Sequence, residues 1–124
     1  MKILLSINPE YVEKIFSGEK KYEFRKSIFK KKEVDTVIIY CTAPIKKVVG
    51  EFKIKSIIED LPQNLWNISP KYTGIDKEKF EKYFLNKEKG YAIEITKVKK
   101  YKTFKTLKQL NSKIKAAPQS FIYL

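Results

Sequence analysis

Gly18-Glu19-Lys20-Lys21-Tyr22-Glu23-Phe24-Arg25 is the stretch on which the reading of this 124-residue chain turns. Two lysines, a carboxylate and a guanidinium alternate with two aromatic rings just after a glycine. Successive side chains of a β-strand point to opposite faces. Tyr22 and Phe24 are therefore expected to face a core, and Lys21, Glu23 and Arg25 the other side. Lys20 stands where the chain leaves a helix, and its long stem can swing to either side. A carboxylate held between cations suits recognition of a polar, anionic ligand. The same pattern also describes a half-buried strand with one solvated, charged face.

Upstream, Lys2 to Ile7 reads as a strand apolar enough to be central. Asn8 and Pro9 read as the N-cap and first position of a helix. Val12, Ile15 and Phe16 fall on one helical stripe, and Gly18 is placed to terminate it. Downstream, a basic loop at Lys30-Lys31-Lys32 leads to an apolar strand, Val34 to Cys41. Pro44 breaks the next turn. Val48 to Glu59 predicts a long strand in which Phe52 and Ile54 alternate with Glu51, Lys53 and Lys55. Leu61 to Ser69 predicts a short helix opened by Pro62, with Leu65 and Trp66 inward. Asp76 caps a second helix from Lys77 to Leu85, with Phe80, Tyr83 and Phe84 inward. Lys89 to Lys99 alternates again, and Thr106 caps a last short helix through Leu110. The tail from Ala117 to Leu124 is too apolar to be free and is expected to dock on the barrel. Close succession of strands, with few helices, predicts an α+β chain built as one domain over residues 1–124. The expected architecture is a small mixed or antiparallel β-barrel with helices flanking a cleft.

Composition narrows the chemistry. Twenty-seven Lys and Arg against 14 Asp and Glu give a net charge of +13, which attracts polyanions through long-range fields and counterion release. The excess is mostly lysine spread from Lys14 to Lys115, which a lysine-rich proteome also produces. The chain has no histidine, so histidine triads, bases and metal ligands are excluded. Cys41 is the only cysteine, which rules out an internal disulfide or a cysteine zinc site; its apolar neighbours predict a small buried hydrophobe. No metal or cofactor is expected. The N-terminal apolar run is too short for a signal peptide, and no run is long enough to span a membrane. A cytoplasmic protein is expected.

Gly18, Lys20, Glu23 and Arg25 match the Gly-x-Lys-x-x-Glu-x-Arg pattern of the ASCH domain family. Leu4-Leu5-Ser6-Ile7 with its following helix, Val49-Gly50-Glu51 and Pro118-Gln119-Ser120-Phe121 also resemble ASCH proteins, so the likeness runs over nearly the whole chain. It implies a PUA-like fold, a pseudo-barrel with helices near a cleft. It further implies binding of RNA or a nucleotide in that cleft, and regulation of translation or transcription. One branch of the family is an amidohydrolase that deacetylates N4-acetylcytidine. Its motif carries a threonine nucleophile where this chain has Glu23, and a carboxylate does not stand in for that hydroxyl. Other members cleave RNA.

Three readings follow, the third a purely structural basic domain inside a larger complex. In the first, the chain binds RNA or a nucleotide: Arg25 contacts phosphate or a base edge, Lys20 supplies a point charge, Lys21 adds another, and Glu23 accepts from an amino group or holds its neighbours. A base needs a stacking partner, for which Tyr40, Trp66 and Tyr72 are candidates. Ser6, Thr42, Gln119 and Ser120 are candidates for neutral hydrogen bonds. In the second, the chain is a hydrolase acting on RNA or a modified nucleoside, with Lys20 as general base and Glu23 activating water.

Overall fold

β1 (Lys2–Ile7) and β3 (Thr36–Cys41) are covered on both faces and lie side by side in parallel, with Leu4 opposite Ile38. Their nearly continuous apolar sequences are what a doubly covered parallel pair requires. The computed structural model describes residues 1–124 throughout. Between the two strands run α1 (Pro9–Ser17) and β2 (Tyr22–Arg25); after them come β4 (Lys47–Asp60), α2 (Pro62–Ile68), a 3-10 turn at Pro70–Tyr72, and α3 (Lys77–Tyr83). β5 (Gly90–Lys105), α4 (Leu107–Leu110) and β6 (Phe121–Tyr123) complete the chain. The six strands form one curled sheet in the order β2-β5-β4-β3-β1-β6, antiparallel apart from the β1–β3 pair. It is a half-barrel whose outer strands, β2 and β6, do not pair with each other. No helix is long and apolar enough to cross a membrane.

The core divides into three clusters. A 14-residue cluster lies under α1, with Ile3, Leu5, Ile39 and Phe52 almost without solvent contact. A second packs Phe24 against Phe80, Phe84, Leu65 and Ala92, with the Phe24 and Phe80 rings edge-on at 5.0 Å. The third, on the other side of the sheet, gathers Leu4, Ile38, Tyr40 and Val48 under α4. The tail docks as expected: Leu4 pairs with Ile122 and Leu5 with Phe121.

The local signals act where they are read. Gly18 ends α1 at φ 87°, in the left-handed region that favours glycine. The Asp76 carboxylate accepts from the Lys79 N–H at 2.9 Å, and Thr106 with Gln109 forms a complete capping box. Asn8 stands at the N-cap of α1 without capping it; its Oδ1 instead accepts from the Thr42 hydroxyl at 3.2 Å. β5 runs six residues beyond the expected Lys99, to Lys105. Its extension pairs irregularly with β4: Gly50 is opposite Lys100, while Val48 is opposite Lys105. The two residues of β4 thus face five of β5, a large bulge. The charged strand also departs from expectation. Phe24 is buried as foreseen, but Glu23 on the opposite side is buried too, so β2 has no freely solvated charged face.

Candidate functional site

Where β2 comes toward the end of β1, the curled sheet leaves a cleft of about 570 Å³. Ser6, Ile7 and Asn8 form one side, Lys20, Glu23 and Arg25 the floor, Glu10 and Tyr11 of α1 one wall, and Lys79, Lys82 and Tyr83 of α3 the other. Its size suits a nucleotide-sized ligand. Its charged lining holds four cations, Lys20, Arg25, Lys79 and Lys82, against two carboxylates, Glu10 and Glu23.

Lys20 is the deepest of these charges, with 3% of its surface exposed. Three features put it there. The end of α1 fixes its backbone, whose N–H donates to the Lys14 carbonyl at 3.0 Å. The loop after the 3-10 turn supplies a carbonyl acceptor, Thr73, 2.8 Å from Nζ. Gly74, at φ 68°, lies directly on the Lys20 methylene stem, where a Cβ would collide with it. The ammonium also sits 5.0 Å from the Phe24 ring centroid and 5.3 Å from that of Tyr11. Burial lowers the Lys20 pKa from the ordinary lysine value; Glu23 opposes that shift and Lys14 adds to it.

Glu23 lies between the two cations, its oxygens 3.8 Å from Lys20 Nζ and 3.7 Å from Arg25 Nη1. Both are ion-pair distances, and neither oxygen accepts a hydrogen bond from the protein. Arg25 Nη2 donates to the Ser120 carbonyl at 3.1 Å, leaving most of its five N–H groups uncommitted. The trio therefore holds a largely buried carboxylate, its oxygens open to the cleft with accepting capacity, beside a guanidinium with donating capacity. This arrangement can receive a planar polar group that donates at one edge and accepts at the next. Tyr83, in the α3 wall, has its phenol pKa raised by burial, an effect that Arg25 opposes. The Tyr11 pKa is raised as well, by burial first and then by Glu10.

Of the residues singled out from sequence, Lys20, Glu23, Arg25 and Ser6 share the cleft. Ser6 Oγ donates to the Pro118 carbonyl at 2.8 Å, so the C-terminal segment backs the site through main-chain oxygens. Ser120 contributes its carbonyl to Arg25, and Gln119 is exposed outside the lining. Thr42 reaches the cleft only through Asn8. Lys21 points elsewhere, its Nζ 4.1 Å from the Tyr72 ring centroid, and neither residue lines the cleft. Two of the expected stacking rings are also elsewhere. Tyr40 is buried with Leu4 and Val48 because α4 covers that face of β3, and Trp66 packs on Phe80 at 5.1 Å. The tyrosines that line the cleft are Tyr11 and Tyr83, beside the core rings Phe24 and Phe80; Tyr83 reads from sequence as core, and Tyr11 is not singled out by it. Lys79 and Lys82 were missed as ordinary helix-surface lysines. The Glu78 and Glu81 carboxylates of the same helix do not line the cleft.

The comparisons with known proteins cover most of the chain. The family model described as ASCH domain matches residues 5–99. Crystal structures of ASCH from Zymomonas mobilis superpose with a TM-score of 0.89 at 25% identity, covering 99% of this chain and 87–89% of theirs. A Zymomonas mobilis protein named ASCH domain-containing ribonuclease is 29% identical over 90 residues, 73% of this chain and 61% of its own. Large ribosomal subunit protein uL22 of Ureaplasma parvum is 32% identical over 123 residues, 98% of this chain. This chain spans only 39% of the length of that protein. The N-terminal domain of Staphylothermus marinus McrB shares the fold at a TM-score of 0.55 and 16% identity, covering 92% of this chain and 81% of its own. With a family model matched over most of its length and a sheet shared with the Zymomonas mobilis ASCH structures, the chain belongs to the ASCH domain family.

Proposed function

We propose that the chain is an RNA- or nucleotide-binding protein that receives a base or nucleoside, modified or not, in the cleft built on Gly18, Lys20, Glu23 and Arg25. The observation that carries this reading is the Glu23 carboxylate, buried between two cations and accepting no hydrogen bond from the protein. A base amino group supplies the missing donor, and an adjacent ring nitrogen or carbonyl accepts from Arg25. Tyr11 and Tyr83 offer faces for the ring, and Lys79 and Lys82 stand near the wall for phosphate. The ribonuclease name of the Zymomonas mobilis relative supports RNA as the ligand class. Regulation of translation or transcription is the setting the family resemblance suggests for such binding.

The test is calorimetric titration with nucleoside monophosphates and a short single-stranded RNA. Arg25→Ala is expected to weaken binding by about 1–3 kcal/mol, and Arg25→Lys to restore little, because an ammonium lacks the planar fork. Unchanged affinity in Arg25→Ala overturns the reading.

A second reading, RNA cleavage, is favoured by the same relative together with the lowered Lys20 pKa. Neutral Lys20 would take the proton of a ribose 2′-hydroxyl. The freed oxygen would attack the adjacent phosphorus, the bond to the 5′-oxygen would break, and that oxygen would leave with a proton from water. Arg25 would meet the charge gathering on the phosphoryl oxygens. Fragments ending in cyclic phosphate, formed by wild type and lost in Lys20→Ala, would support this reading; intact RNA after prolonged incubation would leave binding alone. Acetate release from N4-acetylcytidine is not expected, because Glu23 stands in place of the threonine.

A further inference from the structure

The last thirty residues carry a charge pattern that the cleft does not use. From Ile95 to Leu124 there are eight lysines and no aspartate or glutamate, so this stretch holds most of the net charge of +13. None of these eight lysines forms an ion pair, whereas Lys55, Lys79, Lys82 and Lys89 each lie within 4.0 Å of a carboxylate. The unpaired lysines are not evenly scattered. The bulge of β5 and the end of α4 border a groove of about 740 Å³, which Lys99, Lys100, Lys102 and Lys105 line together with Lys2 of β1.

The groove has one acidic side chain, Glu51, and it is occupied: the Tyr101 hydroxyl donates to it at 2.9 Å. The Tyr101 ring also lies 5.6 Å from Lys105 Nζ. Burial and this bond push the Tyr101 pKa far up, so the phenol stays neutral and adds no negative charge among the lysines. The groove is separate from the cleft and shares no lining residue with it. β1 nevertheless touches both, with Lys2 at the groove and Ser6 at the cleft. Four residue steps of strand separate them by about 13 Å, a span that a few nucleotides bridge.

We propose that this groove is a second RNA-binding surface, one that holds the sugar–phosphate backbone without reading sequence. The proposal rests on RNA as the ligand of the cleft and adds where the rest of the strand runs. Exposed lysines on flexible stems serve as point charges for phosphates, whose neutralisation releases counterions.

The experiment is a fluorescence titration of a labelled single-stranded RNA of about 15 nucleotides at several salt concentrations, with mononucleotide binding measured alongside. The triple variant K99Q/K102Q/K105Q is expected to flatten the dependence of log affinity on log salt by about two units, since each single-strand phosphate contact contributes about 0.7. Its mononucleotide affinity is expected to equal that of wild type. K30Q/K31Q/K32Q removes the same charge from a loop outside the groove and is expected to leave the slope unchanged. An unchanged slope in the groove variant, or equal flattening in both, overturns the proposal. So does wild type that ignores RNA yet binds anionic vesicles or an acidic peptide through these lysines. The cleft reading stands or falls separately, on mononucleotide binding and its loss in Arg25→Ala.

Discussion

The cleft and the groove both collect positive charge, but they hold it in opposite surroundings. In the cleft, Lys20 and Arg25 are withdrawn from water and face a carboxylate that is withdrawn with them. In the groove, Lys99, Lys102 and Lys105 are exposed and unpaired. A desolvated charge interacts strongly with whatever sits beside it and is costly when left alone; a solvated one is screened and nearly independent of its neighbours. The fold therefore depends on the cleft charges and is indifferent to the groove charges, although both regions are candidates for the same ligand.

The sharpest way to break this comparison is at Glu23. Glu23→Ala leaves the buried Lys20 ammonium without its counter-charge, and a loss of about 3–5 kcal/mol in unfolding free energy is expected from denaturant titration. Adding Lys20→Met to that variant is expected to recover part of the loss; strict additivity would mean the two charges do not interact in the fold. A smaller effect is expected at Gly74. Alanine there must hold a left-handed conformation and displace the Lys20 stem, for a loss of about 1–3 kcal/mol by thermal melting. Stability unchanged within error would mean that the loop gives way freely.

Lys20 also carries a pH signature. Its folded pKa lies below its unfolded value, so between the two the unfolded chain binds more protons and stability rises with pH. Comparison with Lys20→Met across the alkaline range isolates that slope. Ligand binding sharpens the point. If the protonated ammonium contacts an anionic nucleotide, affinity falls as pH rises through the lowered pKa. If neutral Lys20 is a base for RNA cleavage, the rate rises along the same limb. The smallest effect is expected in the groove: single Lys→Gln changes at Lys99, Lys102 or Lys105 shift stability by less than about 0.5 kcal/mol.

The same contrast explains what the sequence made legible. β1, β3 and the caps at Gly18, Asp76 and Thr106 are decided by neighbours within a few residues, and they stand where local chemistry puts them. The Lys20–Glu23–Arg25 cluster was legible as a motif, but the burial of Lys20 was not, because Thr73 and Gly74 make it from 53 and 54 residues away. Tyr40 was misplaced for a related reason. Alternation assigns it a face of β3 but does not say that α4, sixty-odd residues later, covers that face. The run from Lys97 to Lys105 has apolar residues only at Val98, Tyr101 and Phe104, a spacing of three that suits a helical face and lacks the alternation of a strand. Its strand is imposed by pairing with β4, and the bulge absorbs the misfit.

The hydrogen bond from Arg25 to the Ser120 carbonyl has a mechanical side. Arg25 ends one edge strand, and Ser120 immediately precedes the other, so a single guanidinium laces the two unpaired borders of the half-barrel. A ligand group that drew Nη2 away would leave that carbonyl to water and loosen the lace. Three-residue β6 would keep its ladder to β1 and the Tyr123 hydroxyl that accepts from the Lys30 and Lys31 N–H groups, but lose its tie to the other border, and its amides would exchange with solvent faster. Recognition and closure thus compete for the same atoms, and the fraying of a strand on the far border reports how deeply the cleft is filled.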